Sequence, residues 1–155
     1  GPCCSTAAAE PRRLEMDWMP DASSDLGRRL RRRLEEDRVV WLTSVAADGT
    51  PQPNPVWFIV DGEELLVWNR PDARRLEHVR RRPRVSLNFN SSPPGGDILV
   101  ITGDARRDDR APLPHEVPAY VEKYGEAMRR ISKSLEGFSR EYPVLLRIRP
   151  DRVRS

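Results

Sequence analysis

The sequence is poor in the residues that staple a fold or hold a metal. Of its 155 residues only two are cysteine, the neighbours Cys3 and Cys4. Adjacent cysteines cannot bridge distant segments, so a disulfide framework is excluded. The two histidines, His78 and His115, stand far apart without ligand-like companions, which argues against a metal site. Lysine is as rare: Lys123 and Lys133 are the only two, and the remaining bases are arginine. No apolar run approaches the roughly 20 residues that cross a bilayer. The N-terminus lacks the charged-then-apolar pattern of a signal peptide. The chain is therefore expected to be soluble and cytoplasmic, with no membrane partner.

Familiar catalytic signatures are missing too. There is no nucleophile elbow, and no glycine-rich dinucleotide fingerprint follows a strand. The loop Pro93-Pro94-Gly95-Gly96 has neither the helix nor the lysine of a phosphate-binding P-loop. No pair of carboxylates stands out from the charged background. No catalytic acid or base is assigned for that reason.

What is present is charge and arginine. The chain is 33% charged and 37% hydrophobic, with a formal net charge of +3. Blocks such as Arg28-Arg29, Arg31-Arg32-Arg33 and Arg80-Arg81-Arg82 could suggest nucleic acid. Acidic residues are interspersed throughout and no nucleic-acid motif accompanies them. These blocks are read as solvated faces, and no nucleic-acid partner is expected.

Residues 1–22 carry few periodic apolar positions and read as a disordered tail, with Gly1-Pro2 resembling a protease-cleavage scar. Residues 23–155 read as one domain. Ser24 or Asp25 can cap a helix bearing Leu26, Leu30 and Leu34 on one stripe. A meander follows: strands at Val39–Ala46, Val56–Val60 and Glu64–Trp68, with turn chemistry at Asp48-Gly49 and Asp61-Gly62. A short helix over Asp72–Arg82, with Ala73, Leu76 and Val79 inward, ends at Pro83. Strands at Val85–Phe89 and Asp97–Arg106 come next. A helix then carries Val117, Tyr120, Val121, Tyr124, Ala127, Met128 and Ile131 at the helical period. A short helix from Ser134 and a strand at Val144–Arg149 close the chain.

Val56–Val60 and Ile98–Ile101 are apolar at every position, so both faces of the sheet need cover. The expectation is a mainly β, α+β fold in which six antiparallel strands close into a barrel with flanking helices. Trp41, Trp57 and Trp68 all fall in strands, and burying so much indole points to a homodimer through the barrel wall.

Two constellations could carry chemistry. In Pro51-Gln52-Pro53-Asn54-Pro55, alternate prolines remove donors from one edge of an extended chain. That suits either an edge strand protected against aggregation or a rigid wall offering backbone groups to a planar ring. The second is Asn69, Arg70, Arg74 and Arg75 near a helix N-terminus. Cations there oppose the macrodipole unless an anion such as phosphate is bound. The alternative is that arginine is simply abundant in this chain.

The run from Arg38 to Phe58, RVVWLTSVAADGTPQPNPVWF, resembles the opening of the pyridoxamine 5′-phosphate oxidase superfamily. It is more closely similar to the branch of deazaflavin (coenzyme F-420) reductases. The likeness continues through Asn69 to Leu87, Gly95-Gly96-Asp97 and the Glu116–Gly125 run EVPAYVEKYG. This resemblance implies an FMN-binding-type split β-barrel, homodimeric, with the cofactor at the dimer interface. Its ring would lie against Asn54, Pro55, Val56 and Trp57. Arg75 stands where relatives carry a phosphate-binding lysine, and Asn69 where they carry serine. Arg74 replaces a less charged residue and is the weaker candidate. Arg70, Arg74 and the basic first helix could together supply the cationic surface that the longer anionic tail of a deazaflavin coenzyme needs. The implied activity is hydride transfer from reduced coenzyme F-420 to an unsaturated or conjugated small molecule. FMN is the alternative cofactor, and a non-catalytic flavin carrier the alternative role.

Overall fold

The computed structural model describes residues 18–155. Cys3 and Cys4, and most of the stretch expected to be a tail, lie outside these residues. Trp18 and Met19, within that stretch, pack against the main core, and the Trp18 indole donates to the Glu63 carbonyl at 3.0 Å.

Helix α1 (Asp25–Glu36) starts where Ser24 turns its side chain to accept the Gly27 N–H, satisfying one of the donors a helix start leaves bare. Leu30 and Leu34, one turn apart, are buried. Strand β1 (Val40–Val45) alternates buried and half-buried positions. It turns at Gly49, whose φ of +87° is open to glycine, into β2 (Pro51–Val56). Strands β3 (Ile59–Asp61) and β4 (Glu64–Asn69) form a second hairpin. Then come α2 (Arg74–Arg81), β5 (Arg84–Asn88), β6 (Val100–Asp108), a 3-10 turn at Pro114–Glu116, α3 (Pro118–Ser132), α4 (Leu135–Glu141) and β7 (Val144–Arg154).

The sheet has seven strands in the order β2-β1-β5-β6-β7-β4-β3 and is open, which corrects the expected six-stranded closed barrel. The extra strand comes from Pro51–Val60, expected to hold one strand. The prolines do not keep β2 out of the sheet. Pro51, Pro53 and Pro55 register against Val45, Thr43 and Trp41, while Gln52, Asn54 and Val56 register against Ser44, Leu42 and Val40. A strand that cannot donate on alternate residues belongs at an edge, and β2 is one.

The chain then leaves the sheet at Trp57 and Phe58. The Phe58 N–H donates to the Tyr124 hydroxyl at 2.9 Å instead of to a strand, and β3 resumes at the opposite edge. The expected three-strand meander is thus two separate hairpins. A register shift at Thr102/Gly103 leaves Asp151 of β7 without a partner in β6, and a Cβ on Gly103 would run into the Arg149 carbonyl oxygen.

Two apolar clusters result. The larger lies inside the curved sheet under α1 and α2, around Leu42, Phe58, Leu87 and Ile101. The smaller is sealed by α3 and α4, around Trp68, Tyr120, Tyr124 and Phe138. Each fully buried Leu, Ile or Phe contributes about 1.5–3 kcal/mol of transfer free energy, so both clusters matter to a domain of this size. Ile131, expected inward, is 54% exposed at the end of α3.

Candidate functional site

A cavity of about 390 Å³ opens between the end of β2, the β4–α2 connection and α4. It is within the usual range for a small-molecule site. Pro55, Val56 and Trp57 form one wall, Arg70 and Arg75 another, and Phe138 and Tyr142 a third. The two constellations, more than ten residues apart in sequence, therefore meet.

The Trp57 wall is rigid. Its indole stacks on Tyr124, with centroids 4.6 Å apart and planes 2° apart, and also stacks on Phe138 at 5.5 Å. Tyr142 stacks in turn on Phe138 at 4.5 Å. A flat aromatic surface of this kind suits a planar ligand.

The opposite wall is cationic. Arg75 is half-buried, and its Nε donates to the Asn69 Oδ1 at 2.5 Å. Burial pulls the Arg75 guanidinium below the usual arginine range, offset in part by Tyr142. No carboxylate of the described residues lies within ion-pair distance of it. The N-cap of α2, Ala73, offers no side chain to the first turn. A half-buried guanidinium beside an uncapped helix start is a fit for an anion such as phosphate. Arg70 is more exposed, lying over the Tyr142 ring at 5.6 Å and 3.8 Å from Glu141 and from Asp72.

The other predicted residues are placed differently. Asn69 is fully buried and does not line the cavity. Arg74 lines a separate groove between α2 and β6, because consecutive helical residues point about 100° apart. Asn54 is exposed on β2 and likewise does not line the cavity. The arginines of α1 that carry a pairing face away from it: Arg29 and Arg33 grip Asp97 at 2.9 and 2.7 Å, with Asp25 and Asp37 beside them. Sequence reasoning missed Phe138 and Tyr142 as lining residues. Their spacing of four, from the middle of α4 to the residue just beyond its end, is visible in the sequence, but it reads equally as core.

Neither histidine enters the site. Among the described residues, His78 meets the Ser44 hydroxyl at 2.8 Å, His115 meets that of Ser139 at 2.7 Å, and no group of acids, cysteines and histidines could hold a metal ion. No helix of the described residues is long and apolar enough to cross a membrane.

Residues 26–155 match the family model described as pyridoxamine 5′-phosphate oxidase. Among solved structures, a Listeria innocua protein classed with the pyridoxamine 5′-phosphate oxidases is 26% identical (TM-score 0.59), over 82% of this chain and 94% of its own. An F-420 reductase is 23% identical (TM-score 0.58), over 78% and 92%. The heme-storage protein HutZ of Vibrio cholerae shares the fold at 17% identity (TM-score 0.57), over 81% and 90%. No curated protein matches the chain significantly.

Proposed function

Because the chain belongs to the pyridoxamine 5′-phosphate oxidase family, we propose that it is an oxidoreductase that holds a phosphorylated tricyclic cofactor in the cavity between Trp57 and Arg75. The observation that carries this reading is the half-buried Arg75, without a carboxylate partner among the described residues, facing the same space as the Pro55–Trp57 wall. When bound, such a cofactor supplies hydride transfer at its ring. The chain's part is to bind and orient. Arg75 and the α2 N-terminus take the phosphate, Pro55–Trp57 back the ring, and the aromatic floor keeps water away. The apolar mouth formed by Ile131, Phe138 and Tyr142 suits an unsaturated or conjugated small-molecule substrate.

Coenzyme F-420 is the first candidate, on the resemblance of the Arg38–Phe58 run. FMN is the second, and a specific observation favours it. Of the basic residues expected to serve a longer anionic tail, Arg74 and the paired α1 arginines lie away from the cavity and Arg70 is the one that lines it beside Arg75, which leaves little cationic surface beyond the phosphate position. A haem reading finds no histidine on the cavity. The proposal includes a homodimer. The outer sheet face presents half-buried Trp41 and Val100 beside Ile98, which is 44% exposed, and a second copy would cover it.

Fluorescence titration with F-420 and with FMN, at low and high salt, tests the cofactor assignment. Anaerobic oxidation of the tighter-binding reduced cofactor by an enone acceptor then tests turnover. Saturable micromolar or tighter binding of either cofactor, followed by turnover, is expected. Binding without turnover would make the protein a carrier, and no binding of either would overturn the reading.

A further inference from the structure

Asn69 ends β4 opposite Val144 of β7, fully buried and outside the cavity lining. Its carboxamide nitrogen donates to the Val67 carbonyl at 2.8 Å and to the Val144 carbonyl at 3.1 Å. Both amide hydrogens are thereby used. The orientation of the amide is fixed by this pattern, since the opposite one would set Oδ1 against two carbonyl oxygens and the NH₂ against a guanidinium. Oδ1 is left with one direction, toward Arg75 Nε at 2.5 Å.

We infer that Asn69 is a positioning residue: it touches no anion itself but locks the Arg75 guanidinium so that its terminal nitrogens face the cavity. This role rests on the phosphate reading of the cavity and goes beyond it. A guanidinium is a rigid planar fork, so fixing Nε fixes the directions of the terminal donors. An ammonium has no such plane. Lysine at position 75 could bond Asn69 or reach the cavity, but it could not be aimed by one contact while donating through others. The pairing therefore divides the work: Asn69 holds the guanidinium and Arg75 alone meets the anion.

The test separates phosphate recognition from ring recognition. Dissociation constants are measured for FMN against riboflavin, and for F-420 against its phosphate-free deazariboflavin core. The ratio within the tighter-binding pair is the readout. In the wild type the phosphorylated form should bind on the order of ten- to hundred-fold more tightly, the worth of a charge-assisted bond. Arg75→Ala should remove most of that ratio. Asn69→Ala should cut it by about ten-fold while leaving phosphate-free binding unchanged. In the double variant, Asn69→Ala should cost nothing beyond Arg75→Ala, because the two act as one unit.

Additive losses would overturn the inference by making Asn69 a direct ligand. An unchanged ratio in Asn69→Ala would overturn it by making Asn69 purely structural. Should Asn69→Ala not fold, Arg75→Lys decides the same question: an aimed fork predicts loss of most of the ratio, and its retention would contradict the inference. A wild type that binds both forms equally would overturn the phosphate reading itself, which is distinguishable from failure of the Asn69 role alone.

Discussion

Tyr124 holds Phe58 and Trp57 at once: its hydroxyl accepts the Phe58 N–H at 2.9 Å, and its ring lies parallel to Trp57 at 4.6 Å. The same hydroxyl donates to the Arg38 carbonyl at 2.7 Å. One side chain of α3 therefore fixes the place where the chain crosses from one sheet edge to the other.

Tyr124→Phe keeps the stacked ring but strands the buried Phe58 N–H. Urea unfolding should show a loss of about 1–3 kcal/mol, with cofactor affinity within about two-fold of wild type because the Trp57 wall persists. Tyr124→Leu should lose affinity as well. Unchanged stability in Tyr124→Phe would mean that the crossover is held by something else.

Lys123 reports on the same crossover through pH. Its Nζ donates to the Phe58 carbonyl at 3.0 Å and sits 3.8 Å from the centre of the Phe58 ring. Burial, with Arg38 adding to it and Asp37 opposing, lowers its pKa to about 8. A lysine depressed in the folded state costs stability while charged, and the cost is relieved as pH rises from the folded value toward the unfolded one. Stability should therefore carry a rising component from about pH 8 to 10, smaller than a fully buried group would give because Lys123 is partly solvated. Above about 10 stability falls instead, because unfolded tyrosines ionise there whereas burial raises Tyr124 to about 12 and Tyr120 further. Denaturant midpoints across about pH 7–10 should lose the rising component in Lys123→Met. An identical slope in both proteins would contradict the assignment.

Much of this arrangement was legible in the sequence. The helical periods of α1 and α3 and the caps at Ser24 and Ser134 are local signals, and the turns at Gly49 and Gly62 marked the two hairpins. Partnership was not legible. Nothing in Val56–Val60 announces that Phe58 bonds a tyrosine 66 residues away, so one apolar run read as one strand. The cationic side of the site was visible as a cluster; adjacency alone did not separate Arg75 from Arg74, and only the resemblance ranked Arg75 first, whereas in the structure Arg75 lines the cavity and Arg74 another groove. Asn69 was visible as a polar residue beside arginines and, by the resemblance, at a position where relatives carry serine; its burial depends on β7, far along the chain.

The homodimer is tested by mass. Light scattering at micromolar concentration should return about twice the 17.8 kDa of one chain. Trp41→Glu, on the outer sheet face, should return the monomer while preserving the circular dichroism of the fold. A wild-type monomer would remove the proposed interface.

Whether the cavity between Trp57 and Arg75 holds the cofactor is tested most directly by a crystal structure grown with saturating FMN or F-420. Ring density is expected against Pro55–Trp57, with a phosphate within hydrogen-bond distance of the terminal nitrogens of Arg75 and Asn69 still bonded to Nε. Cofactor density elsewhere, such as in the hollow beside Trp41 and Asn88, with Arg75 facing empty solvent, would contradict it.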